Sequence, residues 1–406
     1  MAAAALGEKG RRGQYPIREP FGRASRAELG GGRSYTLAME TFDPDAAADP
    51  DGGPYGLTAT AEEAELHLVQ APFDATCSYR RGAADGPAAV VAASYQVELH
   101  DAVAGDPWKR GLHLVPADER IALWNAEARG LADGVIERGG RIADDDALVA
   151  DLVRVNQLSA RADAAIEAQV AASLAAGKRT VLVGGDHATA LGSIRAHAAR
   201  YGRTEKLGIL HLDAHADLRR AYEGFERSHA SVLFNALEPG LSHAPDARPS
   251  GSGGDHHPVP GAAEGIACLV QVGLRDVSRG ELDRIARDTR IHAVMDHEWA
   301  AARAGGEDLG LLVHEAIERL PRQVYLTLDV DGLDPGLCPN TGTPVPGGLA
   351  WHEAWMWIDA VRQSGRELVG ADLVEVSPGP ATADGTDSWD AMVGARLLYR
   401  ILGALA

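Results

Sequence analysis

The segment His211–Asp217 places two imidazoles and two carboxylates at alternate positions. Its sequence, HLDAHAD, puts His211, Asp213, His215 and Asp217 two residues apart from one another. Side chains at this spacing point to the same face of an extended strand. Carboxylates that crowd into one volume repel each other unless cations lie between them. The segment therefore predicts one half of a metal site.

Three further segments carry the same kinds of side chain, each at the end of a strand-like run. His187 follows the run RTVLV within the sequence GGDH, whose two glycines are expected to permit a tight turn. Asp329 and Asp331 share one face at the end of QVYLTLDV, and Glu375 lies in LVGADLVEVSP. In open α/β sheets, ligands bind outside the carboxyl ends of the strands. Taken singly, Asp186 fits a helix cap, His187 a packing role and Glu375 a solvated surface position.

Apolar runs typical of strands alternate with longer helical patterns along most of the chain. The predicted strands are 65–71, 179–184, 206–212, 266–273, 290–295, 323–330 and 368–375. The predicted helices are 118–138, 144–176, 188–201, 279–288, 308–319, 350–363 and 389–404. This alternation predicts parallel βαβ units with helices on both faces of a sheet. The fold class expected is a three-layer α/β/α sandwich around a mainly parallel sheet.

Length and composition indicate a single large domain. The 406 residues, 45% of them hydrophobic, are enough for a sizeable core. We expect a flexible extension over residues 1–40, which are rich in Gly, Arg and Ala, and one catalytic domain over 41–406. The Gly/Pro-rich stretch 239–263 is predicted to be a loop, and its pair His256–His257 is expected to be solvated.

Charge and hydropathy argue against two classes of partner. A formal charge of −19 is opposite to the basic footprint of nucleic-acid-binding proteins. Such a surface either aids solubility or favours cationic substrates. No apolar run approaches the roughly 20 residues that span a bilayer, and no signal peptide is evident, so a cytoplasmic protein is expected.

The three cysteines, Cys77, Cys268 and Cys338, show no metal-type pairing and are expected to be reduced and structural.

The motifs together resemble those of the ureohydrolase family, which includes arginases and agmatinases. The matching stretches are VGGDHA, HLDAHADLR, RSHAS, TLDVDGLDP, GTPVPGG and LVEVSP, in family order over residues 184–378. Residues 72–90, PFDATCSYRRGAADGPAAV, look like the family's N-terminal strand and loop, so the resemblance covers about 60–405. It implies an arginase-like fold, a trimer or hexamer, and hydrolysis of a guanidino group to urea plus an amine or ammonia.

The resemblance also implies two divalent metal ions and their ligands. The six ligands would be His187, Asp213, His215, Asp217, Asp329 and Asp331. Asp213 and Asp329 would bridge the two ions, and four carboxylates balance the charge of two divalent cations. Such an oxygen-rich, part-imidazole set suits Mn²⁺, with Ni²⁺ as the alternative. His211 is not a ligand in the family pattern and is assigned a supporting role.

Three residues match the family's positions for substrate and proton handling. Glu375 would orient the guanidinium group, which a carboxylate binds through two hydrogen bonds. His229, in the sequence RSHAS, would move a proton between solvent and the site. Asp217 would pass a proton to the leaving nitrogen.

The sequence leaves the substrate open. Agmatine or another long guanidino compound, free guanidine, and guanidino acids such as guanidinobutyrate all remain, whereas the loop that would capture L-arginine is not recognised. Arg219, Arg220 and Arg227 are candidates for binding a carboxylate, and the segments 40–64 and 105–150, with Trp108 and Trp124, for closing over a small substrate. Rival classes are a mononuclear zinc deacetylase and a non-catalytic family member.

Overall fold

A computed structural model describes residues 42–202, 206–238, 265–380 and 387–405. Within these residues, eight strands form one sheet in the order β2-β1-β3-β8-β7-β4-β5-β6, and every neighbouring pair is parallel. The strands are β1 (Leu66–Ala71), β2 (Leu112–Leu114), β3 (Arg179–Gly184), β4 (Leu207–Leu212), β5 (Ile266–Leu274), β6 (Ile291–Met295), β7 (Gln323–Asp329) and β8 (Glu367–Val374). The predicted parallel sheet is confirmed, without an antiparallel strand among the described residues.

In the part of the chain that the structure describes, ten α-helices cover the two faces of this sheet. They are α1 (Gly86–Ser94), α2 (Glu119–Glu137), α3 (Asp146–Ala175), α4 (Ala190–Tyr201), α5 (Val232–Leu237), α6 (Arg279–Arg287), α7 (Asp296–Gly305), α8 (Leu309–Ile317), α9 (Trp351–Gln363) and α10 (Trp389–Ala404). Helices α2 to α5 pack in succession in one layer, while α1, α8, α9 and α10 pack together in the other. The expected three-layer α/β/α arrangement is thus confirmed for the described residues.

Among the described residues, four elements were not predicted from the sequence, namely β2, α1, α5 and α7. The edge strand β2 has three residues, too few for an alternating pattern, and α5 has only six. Helix α1 begins at Gly86-Pro87. A Gly-Pro pair is typical of a turn, but proline is also favoured in the first turn of a helix. Residues 72–90 were expected to hold a strand and loop. Instead β1 ends at Ala71, an irregular segment follows, and the stretch finishes inside α1.

Residues 105–150, one of the two segments that were candidates for closing over a small substrate, build part of the scaffold. Trp108 is buried in a short 3-10 helix ahead of β2, at the sheet edge. Trp124 packs against the core between α2, α3 and the sheet. Asn125 of α2 donates from its amide to Asp74 (3.3 Å), and its Oδ1 accepts from the Asp74 backbone N–H (2.9 Å). Helix α2 therefore supports the irregular segment that follows β1.

The four central strands of the sheet are the ones that carry the chemistry-bearing motifs. β3, β8, β7 and β4 are adjacent, and they are followed respectively by His187, Glu375, Asp331 and Asp213. Because parallel strands end at the same edge of a sheet, residues from four distant parts of the sequence meet there. The topology is what assembles the site.

Two predictions concern residues that the structure does not describe, whereas the cysteines and the hydropathy of the helices can be compared with it. The N-terminal extension 1–40 and the pair His256–His257 lie outside the described residues. The three cysteines are free and buried. In the part of the chain that the structure describes, no helix is long and apolar enough to cross a membrane.

Candidate metal centre

His187 lies at the middle of a cluster of carboxylates. It follows β3, in the short 3-10 helix His187–Thr189, and its side chain is fully buried. Its Nδ1 lies 3.0 Å from an oxygen of Asp213, 3.0 Å from an oxygen of Asp217 and 3.3 Å from an oxygen of Asp329. Four side chains predicted as ligands from three separate segments thus converge on one point.

The hydrogen bond of His187 Nε2 determines whether Nδ1 carries a proton or a lone pair. Thr327 Oγ1 donates to Asp372 Oδ1 (2.8 Å), so its remaining capacity toward His187 Nε2 (2.8 Å) is that of an acceptor. The proton of a neutral His187 then resides on Nε2, and Nδ1 presents a lone pair to the carboxylates. Nδ1 makes no well-aligned hydrogen bond among the described residues. A lone pair surrounded by carboxylate oxygens is an arrangement that a cation stabilises.

A second group of donors lies next to the first. His215 Nδ1 lies 3.0 Å from Asp331 Oδ2 and 3.4 Å from Asp213 Oδ1. Asp213 therefore turns one oxygen toward His187 and the other toward His215. Asp329 joins the groups through its Oδ1, which accepts from the Asp331 backbone N–H (2.8 Å). The donors form two overlapping sets that share Asp213, as a pair of neighbouring cations requires.

His211 is held as a hydrogen-bond donor. Gln271 donates through Nε2 to the Ala216 carbonyl (2.8 Å), which fixes the orientation of its amide. The same Nε2 lies 3.0 Å from His211 Nδ1, which must therefore accept. His211 Nε2 then carries the proton and donates to Asp213 Oδ2 (2.8 Å). With both nitrogens occupied, His211 orients Asp213 and offers no lone pair to a metal, which supports the role expected for it.

The electrostatics of the cluster require added positive charge. Burial, then the charge of Asp331, raise the pKa of Asp329 well above its usual value, and burial with Asp213 raises that of Asp217 to about 6. Burial disfavours a charged His187, but its three carboxylate neighbours raise its pKa well above the usual value. Asp217 and Asp329 thus resist ionisation, whereas His211 and His187 hold the pKa of Asp213 well below its usual value although burial opposes this, so the cluster favours positive charge among its carboxylates. The donor set fits two divalent ions.

The segment after β4 does not follow the alternation that predicted it. β4 ends at Leu212, so Asp213, His215 and Asp217 lie beyond the strand in irregular backbone. Asp217 has φ +54°, a left-handed conformation that costs a non-glycine residue roughly 1–3 kcal/mol. The backbone carbonyl of Asp217 accepts from the N–H groups of Leu233 and Phe234 (both 3.1 Å), which stabilise this conformation.

Glu375 occupies the same unusual backbone region just after β8, with φ +62°. Its Oε1 accepts from the His187 backbone N–H (2.9 Å), and its Oε2 has no hydrogen-bond partner among the described residues. Burial, then Asp329 and Asp186, raise the pKa of Glu375 well above its usual value. A buried carboxylate with one oxygen unsatisfied suits a cationic group that arrives with the substrate.

The glycines of the GGDH motif serve close packing. Neither Gly184 nor Gly185 has a positive φ. The prediction that these glycines are needed for a tight turn is therefore wrong. A Cβ on Gly185 would lie 2.1 Å from the carbonyl oxygen of Phe73. The missing side chain lets the segment after β1 lie directly against the GGDH motif.

His229 begins the 3-10 helix His229–Ser231, which leads into α5. It is partly exposed, and its Nδ1 has no hydrogen-bond partner within the described residues. Burial, then the charges of His215 and His187, lower the pKa of His229 to about 4, so the ring is neutral at pH 7. Arg227, two residues earlier, is buried in an ion pair with Asp163 of α3, which anchors this segment.

Sequence reasoning missed the residues that orient the donors. Thr327 lies two positions before Asp329, and Asp372 and Gln271 lie on β8 and β5. Thr343, in the GTPVPGG motif, donates to Asp331 Oδ2 (3.1 Å). Polar residues inside apolar strand runs are the signal that could have found the strand residues among them, because a buried polar side chain needs a hydrogen-bond partner.

The family of the chain follows from comparison with known proteins. The model of the arginase family matches residues 64–403. The chain belongs to the arginase family. It is 31% identical over 346 residues to an N(1)-aminopropylagmatine ureohydrolase of Thermus thermophilus, covering 85% of this chain and 92% of that one. It is 29% identical to an agmatinase of Proteus mirabilis, covering 85% and 90%.

Solved structures show the same fold at lower identity. An arginase from Medicago truncatula aligns with a TM-score of 0.59 at 21% identity, covering 84% of this chain and 88% of that chain. An agmatine ureohydrolase from Thermoplasma volcanium aligns with a TM-score of 0.57 at 22% identity, covering 86% and 92%. The arginase-like fold that the motifs implied is confirmed.

Replacing Thr327 by valine tests how the metal centre is oriented. The change removes the hydroxyl between His187 and Asp372 at nearly constant volume, so metal affinity should fall about 10- to 100-fold, as is usual when the partner of a ligating histidine is lost. Competition with a chromogenic chelator measures this affinity. Thr180→Val is the matched control, because Thr180 is also buried and hydrogen-bonds a histidine ring, that of His197 (3.1 Å). Equal affinities in the two variants would contradict the assignment.

Proposed function

We propose that this protein hydrolyses the guanidino group of a small cationic substrate to urea and an amine, using two divalent metal ions. Membership of the arginase family and relatives named as ureohydrolases support the reaction class. The observation that carries the proposal is the fully buried convergence of carboxylates on His187 Nδ1. Nothing in a purely structural role calls for that much like charge in one place.

The proposed ligands divide between two ions. His187, Asp213, Asp217 and Asp329 would hold one, and Asp213, His215, Asp329 and Asp331 the other. Oxygen and imidazole donors without a thiolate favour Mn²⁺, with Ni²⁺ as the alternative. When bound, the two ions supply Lewis acidity that activates water at neutral pH and stabilises developing negative charge.

Glu375 is proposed to hold the substrate's guanidinium group. Its free Oε2 accepts from the guanidinium, while its Oε1 is fixed by the His187 backbone. Because this hydrogen bond and the bond from the Glu375 N–H to the Gly185 carbonyl (2.8 Å) tie Glu375 to the start of the metal-binding motif, the guanidinium carbon is positioned relative to the metal ligands. Such fixed placement lowers the entropic cost of reaction.

Proton movement is proposed to use His229 and Asp217. His229 is neutral at pH 7 and partly exposed, so its ring can accept a proton and return it to solvent. Asp217, a proposed metal ligand that lies 3.0 Å from His187 Nδ1, would hand a proton to the departing nitrogen. The products are urea and the free amine.

Among substrates, we favour agmatine or a similarly long guanidino amine. The relatives named above act on agmatine or aminopropylagmatine according to their names. Arg227, a candidate for binding the carboxylate of a guanidino acid, is buried against Asp163, and Arg219 lies near Glu281 (3.6 Å) and over the Tyr222 ring. These contacts argue against guanidino acids. Free guanidine remains the second candidate. We further propose a cytoplasmic trimer or hexamer.

The rival classes fit the donor set less well. A mononuclear zinc deacetylase needs one set of ligands, whereas His187 and His215 each lie against their own carboxylates. A non-catalytic member needs neither the orphaned oxygen of Glu375 nor a strained backbone at Asp217 and Glu375.

Urea release tests the proposed reaction. The full-length protein, reconstituted with Mn²⁺ or Ni²⁺, is assayed with agmatine, aminopropylagmatine, guanidine, guanidinobutyrate, guanidinopropionate and arginine. We expect the highest kcat/KM with one of the two guanidino amines. Urea from none of the six with either metal would refute catalysis, and deacetylation with one Zn²⁺ per chain would establish the rival enzyme.

Asp329→Asn should abolish metal binding and turnover together. The amide removes a charge and one strong metal donor from the point at which both proposed ligand sets meet. Metal content after dialysis is measured by elemental analysis, beside urea release. Asp334→Asn is the control from the same motif, because Asp334 is exposed and its Oδ1 only accepts from the Gly336 N–H (2.8 Å). A fully active Asp329→Asn protein would rule out the binuclear assignment.

Glu375→Gln should raise KM about 10- to 100-fold, because a hydrogen bond to a charged group contributes about 1.5–3 kcal/mol. Metal content should stay at the wild-type level. The control is Glu367→Gln at the opposite end of β8, where the carboxylate pairs with Arg322 at the surface. An unchanged KM would remove Glu375 from the substrate site.

His229→Ala should lower kcat at least about 100-fold while both metals stay bound, since a general acid–base group contributes about 10²- to 10⁴-fold. Added imidazole should restore part of the rate, because it supplies the missing proton carrier. Loss of either ion of the binuclear centre in this variant would show instead that His229 is one of the ligands of that centre.

A further inference from the structure

A second cluster of metal-binding side chains lies beside Glu375 and outside the six proposed ligands. Cys77, Asp186 and His229 each offer one donor atom, and these atoms lie within 4.8 Å of one another. Cys77 comes from the irregular segment after β1, Asp186 from the end of β3 and His229 from the helix before α5. Both chain neighbours of Asp186 are hydrogen-bonded to Glu375, because the Glu375 N–H donates to the Gly185 carbonyl (2.8 Å) and the His187 N–H donates to Glu375 Oε1 (2.9 Å).

The hydrogen bonds of Asp186 leave a donor free. Asp186 is fully buried, and its Oδ2 accepts from Thr76 Oγ1 (3.2 Å) and lies 4.0 Å from Cys77 Sγ. Its Oδ1 has no hydrogen-bond partner among the described residues, and neither has His229 Nδ1. The expected capping bond from the Asp186 side chain is not formed. An unsatisfied buried carboxylate oxygen costs free energy unless a ligand meets it.

We propose that Cys77, Asp186 and His229 form a third metal site, which takes a thiophilic divalent ion such as Zn²⁺ or Cd²⁺. Thiolate, imidazole and carboxylate are the three donor types of zinc sites, and three protein ligands leave a fourth position open. Bond lengths of about 2.0–2.3 Å place tetrahedral donors about 3.5 Å apart. Cys77 Sγ lies 4.0 Å from Asp186 Oδ2, and the three donor atoms lie within 4.8 Å of one another, so metal binding would draw them together by roughly 0.5–1.3 Å.

The third site differs in chemistry from the binuclear centre. Its thiolate selects Zn²⁺ or Cd²⁺, whereas the oxygen-rich centre accepts Mn²⁺. The buried Cys77 is a neutral thiol, so binding replaces its S–H bond by an S–metal bond and releases one proton to solvent. No oxidant or further reactant takes part.

Occupation of this site fixes the ring of His229. On the proposed function, which this consequence presupposes, a fixed His229 no longer carries protons, and an ion beside Glu375 repels the guanidinium. The site therefore makes the enzyme sensitive to thiophilic metals through residues other than the catalytic metal ligands.

Cd²⁺ is the probe, added to full-length protein already loaded with Mn²⁺. We measure bound Cd²⁺ and retained Mn²⁺ per chain after dialysis, and the ultraviolet charge-transfer band of a thiolate–Cd²⁺ bond. The wild type should bind one Cd²⁺ with this band and keep its Mn²⁺. Cys77→Ser should lose the band and bind Cd²⁺ at least about 100-fold more weakly, since even an outer partner of a metal ligand changes affinity about 10- to 100-fold.

Cys268→Ser is the matched control, because Cys268 and Cys77 are both 6% exposed and Cys268 lies on β5. It should behave as the wild type. Cd²⁺ uptake that is equal in Cys77→Ser, that lacks the band, or that only displaces Mn²⁺ overturns the proposal. If Cys77→Ser does not fold, His229→Ala replaces it and should weaken Cd²⁺ binding. Neither readout uses a substrate, so a failed urea assay leaves this test intact.

Discussion

The repulsion between buried carboxylates is the constraint on which the rest of this protein depends. Asp213, Asp217, Asp329 and Asp331 are all nearly excluded from solvent and lie around two imidazoles. Burial and mutual charge raise the pKa of Asp217 and Asp329, so the ionised cluster carries a free-energy cost that two divalent cations would offset. Folding around this cluster and binding metal are therefore linked processes.

Hydrogen bonds to backbone carbonyls and close backbone packing hold the segments of the cluster in place, without using the side-chain atoms that would bind metal. Arg275, just after β5, donates to the carbonyl oxygens of Asp331 (2.6 Å), Leu333 (3.1 Å) and Gly273 (3.0 Å). A Cβ on Gly332 would lie 2.7 Å from the Asp213 nitrogen, so the segments after β4 and β7 are in direct backbone contact. Close packing of this kind fixes distances that flexible side chains alone would not maintain.

His187 and His211 each have a partner that decides which of their ring nitrogens carries the proton. Thr327 and Asp372 keep the proton of His187 on Nε2, while Gln271 keeps that of His211 on the nitrogen facing Asp213. Histidine therefore plays opposite roles after β3 and on β4, which have two strands between them: His187 presents a lone pair, whereas His211 donates a hydrogen bond. The distinction depends on neighbours from β5, β7 and β8.

The sequence by itself determined the parallel fold, most element boundaries to within one or two residues, and which residue types would meet. Strand alternation grouped His211 with Asp213 and Asp329 with Asp331, although Asp213 and Asp331 lie just beyond the ends of β4 and β7. It could not show that β4 ends before Asp213, or that Asp217 and Glu375 adopt left-handed backbone. Those outcomes depend on hydrogen bonds from distant segments.

Only the tertiary structure decided how these residues act together. The order β3-β8-β7-β4 brings side chains from residues 187 to 375 to one edge, and no local stretch of sequence specifies this order. Cys77 and Asp186 were read as structural, because their proximity to each other and to His229 arises from three segments far apart in the chain. Local sequence carries propensity and pattern, whereas contacts between distant segments exist only after the sheet has formed.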